Sequence, residues 1–476
     1  LEPATLRDRA TSRCFSASKI EMSFLNGLLE KAGVGMTMAN KYTDPTMLLI
    51  GSVAFGIPAV VSLTVWTAYR FGLLVAPAVP FALYCYYQFV FLSTPPANTE
   101  EFLVFKDSAL KKQWAGRKIP MHLLVEEFLA DNIDFKKDIL ATLEDDRDKF
   151  IDWRPNWSLF QFILQQALPS KSSSFKDIKA TTKEIAEHYD RGNDFFASFL
   201  GPMMIYTSAF FHGTDQTLEQ AQENKLNMLC QKLHLKPGQS FLDIGCGWGT
   251  LVRHAASKFG AKAAGVTLSK EGAAWCNAKN KEEGLSAEQA NILNCDYRDI
   301  PSSMRFNAIS AVEMAEHVGI ANFQLFLGNI YSMLEDDGLY YMQVAGLRKG
   351  SNWQDVQWGL FMSRYIFPGA DASTPLYWYT KQLEMAGFEV HSVDNVGRHY
   401  SHTLKAWYYN FLKNKDSLDA TKYPKRLQRL WEIFLAWSVV AAGQGSATCY
   451  QIVSHKNVYP FPRDTFCAKD VASKRL

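Results

Sequence analysis

The chain has 476 residues, enough for two or three domains, and an aromatic share of 13%. Its 50 basic residues nearly balance 48 acidic ones and no dense basic run is interleaved with aromatics, which argues against nucleic acid as a partner. Eight cysteines, at 14, 85, 230, 246, 276, 295, 449 and 467, form no CxxC pair and no zinc-like spacing, so reduced thiols in a reducing compartment are expected.

Residues 1–45 form an N-terminal segment in which Arg7 to Lys19 is basic and serine-containing, as a targeting signal would be. Thr46 to Tyr69 carries no charge, and neither does Phe71 to Leu92. Each stretch is long enough to cross a hydrocarbon core of ~30 Å as a helix. Arg70, in the short turn Tyr69 to Gly72, would reach the far interface by snorkelling. Residues 46–92 are therefore expected to anchor the chain in a bilayer, as two spans or a reentrant hairpin, with two buried soluble helices as the competing reading. The run Tyr84 to Phe89 resembles an interfacial aromatic belt, and Lys106, Lys111, Lys112, Arg117 and Lys118 favour a cytosolic location for the remainder of the chain.

Residues 100–178 mix amphipathic patterns such as Met121 to Leu129 with charged turns and end in Lys171 to Ser174, which reads as a helical adapter and linker. From 180 to 470 the pattern changes. Apolar strands at 241–244, 263–268, 306–312, 338–344 and 388–393 alternate with helical segments at 218–233, 271–283, 322–334 and 376–386, which predicts an α/β doubly wound sheet.

The segment Phe241 to Gly249 is an apolar strand ending in an acid and three alternating glycines. Gly245, Gly247 and Gly249 allow a sharp turn and close approach to a ligand, and the helix beginning at Thr250 offers its free N–H groups to an anion. Nicotinamide and flavin enzymes use a similar turn, but they normally place an acid at the end of the next strand. Here that strand ends in Thr267, Leu268 and Ser269. This favours S-adenosylmethionine, with a dinucleotide or a turn without ligand as the alternatives.

His188-Tyr189-Asp190, Asp194-Phe195-Phe196, Tyr206 to Phe211, Leu218 to Gln222, the glycine loop, Val266 to Lys270, Glu316-His317-Val318-Gly319, Phe367-Pro368-Gly369 and Arg398-His399-Tyr400 occur in that order along the chain. Over residues 185–455 the chain thereby resembles the cyclopropane fatty acid synthase family of S-adenosylmethionine-dependent lipid methyltransferases. Together with the apolar leader, it resembles in particular the eukaryotic sphingolipid C9-methyltransferases. The resemblance implies a Rossmann-like class I methyltransferase fold and a membrane lipid as substrate. It implies a cofactor held by Tyr206 and Thr207 on one side and by Leu242, Asp243, Gly245, Cys246, Gly247, Trp248 and Gly249 beneath. Thr267, with Leu268, Ser269 and Gly272, would lie at the ribose, and Asp296, Tyr297 and Arg298 around the adenine; Gly272 stands where relatives often carry glutamine.

Methyl transfer to an alkene leaves a carbocation that negative or aromatic groups must stabilise until a proton departs. The resemblance implies a carboxylate, a tyrosine and a bound bicarbonate for this task, with Glu316 and Tyr400 in the first two places. Three positions depart from the family: Ser208 and Ser438 replace cysteines, and Gln343 replaces a histidine. Gln343 cannot titrate near neutral pH, which puts bicarbonate and ring closure in question. A proton lost from the chain carbon instead of the transferred methyl gives a methyl-branched alkene, the preferred reading. The competing readings are a cyclopropane-fatty-acyl-phospholipid synthase and an inactive lipid-binding protein.

His399 and His402, and the crowded Glu313, Glu316 and His317, are read as hydrogen-bonding groups, and no metal is expected. Trp353, Trp358, Phe361, Tyr365, Tyr377 and Trp378 fit either an acyl tunnel or a core. A cytosolic catalytic domain on an endoplasmic reticulum or Golgi-type membrane suits the expected substrate.

Overall fold

The computed structural model describes residues 94–156, 192–301, 303–350, 352–367 and 374–466, with isolated positions at 61–86 and 158–163. Most of the expected anchor, the Lys171 to Ser174 linker and His188 to Asp190 lie outside the described residues. Among the described residues no helix is long and apolar enough to cross a membrane.

The catalytic part is built on one seven-stranded sheet. Its strands are β5 (Ser240–Ile244), β6 (Lys262–Thr267), β7 (Ala290–Asn294), β8 (Phe306–Val312), β9 (Leu334–Leu347), β10 (Phe388–Asn395) and β11 (Ala447–Lys456). Strands β1 (Leu103–Phe105), β2 (Ile119–Pro120), β3 (Ile133–Phe135) and β4 (Ile151–Asp152) precede them in two small sheets. The order is β10-β11-β9-β8-β5-β6-β7. β5 to β9 run parallel, whereas β11 is antiparallel to both β9 and β10. The sheet is thus mixed at one edge, and the chain reverses direction across it between β5 and β8. There a crevice opens at the strand C-termini.

The five expected strands and four expected helices are all present within a few residues. The helices are α5 (Leu218–Lys232), α7 (Lys270–Glu282), α8 (Phe323–Met333) and α10 (Leu376–Met385). Thr217 and Gln220 close a capping box that starts α5. The pattern did not predict β7, β11 or the two long helices α11 (Gly397–Asn414) and α12 (Lys425–Gly443). α12 is buried around most of its circumference from Trp431 onward, so its second half has no apolar stripe to read.

The adapter is not purely helical. Its helices α1 (Ser108–Trp114), α2 (Met121–Leu129) and α3 (Ile139–Asp145) alternate with β1 to β4. It shares one apolar cluster with α12, α11 and α4 (Asn193–Leu200), so it packs into the catalytic unit. Arg429 of α12 is the polar pin of this contact. Buried beside the Phe128 ring, it donates to the carbonyls of Phe128 (2.5 Å) and Ile133 (2.7 Å) and faces Asp131 at 3.3 Å. Tyr408 Oη adds a bond to Asp138 (2.9 Å). Of the aromatics at 353–379, Phe361, Trp378 and Tyr379 are core residues, and Tyr377 is exposed.

Arg429→Leu should keep the apolar volume but leave the buried Ile133 carbonyl without its donor and the Phe128 carbonyl with only Asp131 N, costing about 2 kcal/mol of stability. Urea denaturation of the two proteins checks this, and an unchanged midpoint would contradict the pinning role.

Candidate active site

A cavity of about 280 Å³ lies at the C-terminal ends of β5, β6 and β8. Its floor is the loop between β5 and α6 (Thr250–Phe259). At Gly245, φ is +76° and an added Cβ would lie 2.7 Å from the Met314 side chain, so only glycine fits. At Gly247, φ is +52° and an added Cβ would meet nothing within 4 Å, because the residue faces the open cavity.

Of the expected cofactor residues, Tyr206, Thr207, Asp243, Gly245, Cys246, Gly247, Trp248, Thr267, Leu268, Ser269, Gly272, Asp296, Tyr297 and Arg298 all line this cavity. Leu242 and Gly249 do not. Leu242 points into the core beneath the sheet, because side chains alternate along β5, and Gly249 is the left-handed cap of α6. Ser269 Oγ caps α7 by accepting from Gly272 N (3.0 Å), which gives Gly272 a local role at the start of that helix. Burial pushes the Asp296 carboxyl up, but the Arg298 guanidinium more than offsets this and holds it below its ordinary range. Asp243 is buried, accepts from Ser310 Oγ (2.6 Å), and is pushed up to about 7 by loss of solvent.

Lys225 on α5 carries no sequence signal that marks it out. Its fully buried ammonium lines the cavity and donates to Thr207 Oγ1 (2.9 Å), leaving two N–H groups for a ligand. Burial lowers its pKa, and the nearby carboxylates Glu313 and Asp243 oppose the shift. A cationic donor, two carboxyls, hydroxyls at Thr267 and Ser269 and the flat ring of Tyr297 suit an amino-acid carboxylate at one end and a nucleoside at the other.

The expected catalytic residues stand apart from the cavity lining. None of Glu316, Tyr400, Ser208, Gln343 and Ser438 lines the cavity, whereas Glu313 does. Glu313 comes directly after β8 with φ +52°, a left-handed conformation costly for a residue with a side chain. Hydrogen bonds hold it there. Glu313 N donates to Gln343 O (2.7 Å), and Glu313 Oε1 accepts from Ser208 N (2.9 Å), Gln343 Nε2 (2.6 Å) and more weakly Cys449 Sγ (3.7 Å). Glu313 Oε2 accepts from Tyr400 Oη (2.7 Å).

Three of the five expected residues therefore converge on a carboxylate that the sequence marks only by its crowding. Ser208 contributes its backbone, since its hydroxyl turns to Ala209 O (3.0 Å). Gln343 is oriented by Tyr341 Oη (3.0 Å) and Gln451 Nε2 (3.2 Å), both donating to its Oε1. Ser438 lies in α12 with its hydroxyl buried and without a partner among the described residues; the sulfur near the carboxylate belongs to Cys449 on β11.

Glu316 is buried behind the cavity wall. One oxygen accepts from Ala345 N and the other has no partner among the described residues. Burial and then the charge of Glu313 push it up to about 8, which favours its neutral form at pH 7. His317 lines the cavity and is lowered by burial to about 4, hence neutral. His399 Nδ1 accepts from Phe211 N (3.2 Å) and its ring stacks on Phe210, and His402 packs on Phe211.

A mixed seven-stranded sheet of this order, with a glycine-floored cavity at its switch point, defines a class I S-adenosylmethionine-dependent methyltransferase. Within that class the chain belongs to the mycolic acid cyclopropane synthetase family, which matches residues 176–452. It is 44% identical over 368 residues to sphingolipid C9-methyltransferase 2 of Gibberella zeae, covering 76% of this chain and 70% of that protein. It is 43% identical over 379 residues to the sphingolipid C9-methyltransferase of Komagataella phaffii, covering 78% and 77%. Among solved structures, the cyclopropane synthase MmaA2 of Mycobacterium tuberculosis aligns with a TM-score of 0.53 and 26% identity, over 58% of this chain and 98% of that one. Mycolic acid cyclopropane synthase CmaA1, complexed with SAH and CTAB, shares the fold at a TM-score of 0.55 and 24% identity, over 60% and 100%.

The Glu316 carboxyl has a higher pKa folded than its ordinary 4.5, so the folded state binds the proton more tightly. The stability this contributes is whole below about 4.5 and is lost as pH rises through about 8. Glu316→Gln, which keeps the acceptor for Ala345 N, should melt with a shallower decline over that window than the parent. Parallel melting curves would contradict a raised Glu316.

Proposed function

We infer that this protein transfers a methyl group to an alkene carbon in the long-chain base of a sphingolipid and yields a methyl-branched alkene. One observation carries the reading. The likeness to sphingolipid C9-methyltransferases runs over 368 residues, past the family stretch 176–452, whereas a probable fatty acid methyltransferase of Pseudomonas putida is 36% identical over 282. Similarity that continues outside the common catalytic domain supports a shared substrate class.

S-adenosylmethionine, when bound, supplies a methyl group made electrophilic by its sulfonium. In this reading Lys225 and the N-terminus of α6 take its carboxylate, Thr267 and Ser269 the ribose hydroxyls, and Asp296 and Tyr297 the adenine. The rest is positioning and exclusion of water. Tyr206 and Trp248 line the cavity and, backed by Phe196, Phe367 and Trp407, supply an aromatic wall suited to an acyl chain and to a developing cation. The neutral His317 adds no positive charge to oppose that cation.

The competing product, a cyclopropane, is kept in view by the solved cyclopropane synthases of like fold. Methyl-trideuterated S-adenosylmethionine separates the two by product mass. Branching retains three deuteria and ring closure two. Three are expected, and a two-deuterium product would overturn the branching reading.

The reading includes attachment to a membrane through residues 46–92. The helical positions Val61, Val65, Trp66, Phe81, Tyr84 and Tyr86 expose apolar side chains, as a lipid-facing segment would. Deleting residues 1–95 should release the protein from membranes at high salt. Continued sedimentation of the truncated chain would place the lipid contact on the adapter or catalytic face instead.

A further inference from the structure

We propose that Glu313 is the built-in proton acceptor of the reaction, filling from within the chain the place an exogenous anion would take, so that turnover needs no bicarbonate. The inference rests on the methyl-transfer reading above and names the base within it.

The geometry is that of an occupied oxyanion site. Ser208 N, Gln343 Nε2, Tyr400 Oη and Cys449 Sγ come from four separate segments and all end on the two oxygens of one carboxylate. Every one is a donor, so the group they surround is an acceptor-only carboxylate. With those donors taken, a dissolved anion would find none of them free. The price is a left-handed backbone at a non-glycine residue, and such strain at a cavity wall is the mark of a functional constraint.

The two oxygens differ. Oε1 carries three donors and Oε2 only one, which leaves Oε2 an open lone pair on a residue that lines the cavity. Tyr400 Oη fixes its direction. The tyrosine itself does not compete as base, because burial and the Glu313 charge push its pKa well above the ordinary value.

The chemistry balances without any further reactant. The alkene π pair forms the new C–C bond as the C–S pair departs with sulfur, and the positive charge passes to the neighbouring chain carbon. Glu313 Oε2 then takes the proton from the newly methylated carbon, and the C–H pair re-forms the double bond. The products are a thioether, a methyl-branched alkene and a protonated carboxyl that returns its proton to water.

The test uses the full-length protein and whichever lipid alkene the parent methylates, so an error in the substrate class leaves it intact. Parent turnover should be the same in bicarbonate-depleted and bicarbonate-supplemented buffer. Glu313→Gln should bind S-adenosylmethionine normally yet lose about 10²-fold or more in kcat, with no recovery on adding bicarbonate, because the amide still fills the site. Glu313→Gly, suited to the left-handed backbone, should lose similarly but recover in part with added bicarbonate, which can enter the vacated donors. A parent that requires bicarbonate, or Glu313→Gln with near-parental kcat, would overturn the proposal.

Discussion

The Glu313 carboxylate is the point on which the catalytic half of the molecule closes. Its partners are the loop at Ser208, Gln343 on β9, Tyr400 on α11 and Cys449 on β11, so four segments far apart in sequence meet on the side chain of a fifth. A half-buried charge is tolerated best when it is hydrogen-bonded, and two of the donors here are themselves positioned by other groups. Tyr341 and Gln451 turn the Gln343 amide, and Thr403 Oγ1 accepts from Ala209 N (3.0 Å) beside Ser208. The antiparallel edge of the sheet has a purpose in this arrangement, since it brings Gln343, Gln451 and Cys449 side by side across β9 and β11.

The second constraint is the way charge is divided around the cavity. Asp243 and Glu316 are pushed up by burial toward neutrality, His317 is pushed down to the neutral form, and Glu313 keeps its donors. The buried Lys225 ammonium lies on the same wall. A site handling a cationic donor and a cationic chain carbon gains from a fixed negative charge at Glu313, while Asp296 on the same wall, held below its ordinary range, is paired with Arg298. The neutral Glu316 behind the wall then belongs to the support of β9, through Ala345.

The adapter bears on function through its packing. Its core is continuous with α4, α11 and α12, the same helices that back Tyr206 and Tyr400 with Phe199, Trp407 and Phe411. Arg429 and Tyr408 fix the contact by bonding adapter backbone and Asp138. A membrane anchor ahead of the adapter would therefore be tied to the active-site wall through a packed interface.

What the sequence determined by itself was whatever depends on local pattern. Alternating strands and helices foretold the doubly wound sheet, and the three glycines with Thr267 and Ser269 foretold a methyl-donor cavity, because turn geometry and strand burial are encoded within a few residues. Fourteen of the sixteen expected cofactor residues line that cavity. The two that do not, Leu242 and Gly249, differ only in which way a side chain faces or a cap turns. Tertiary structure alone decided where the expected catalytic residues stand relative to the cavity. Glu313 and Glu316 are three residues apart and alike in the sequence, but the left-handed turn at 313 puts one carboxylate in the cavity and leaves the other behind its wall. Likewise Ser438 is buried in a helix while Cys449, eleven residues on, reaches the carboxylate from the neighbouring strand. Long-range convergence and the direction of a single backbone torsion leave no local signature, and those two things decide which carboxylate lines the cavity.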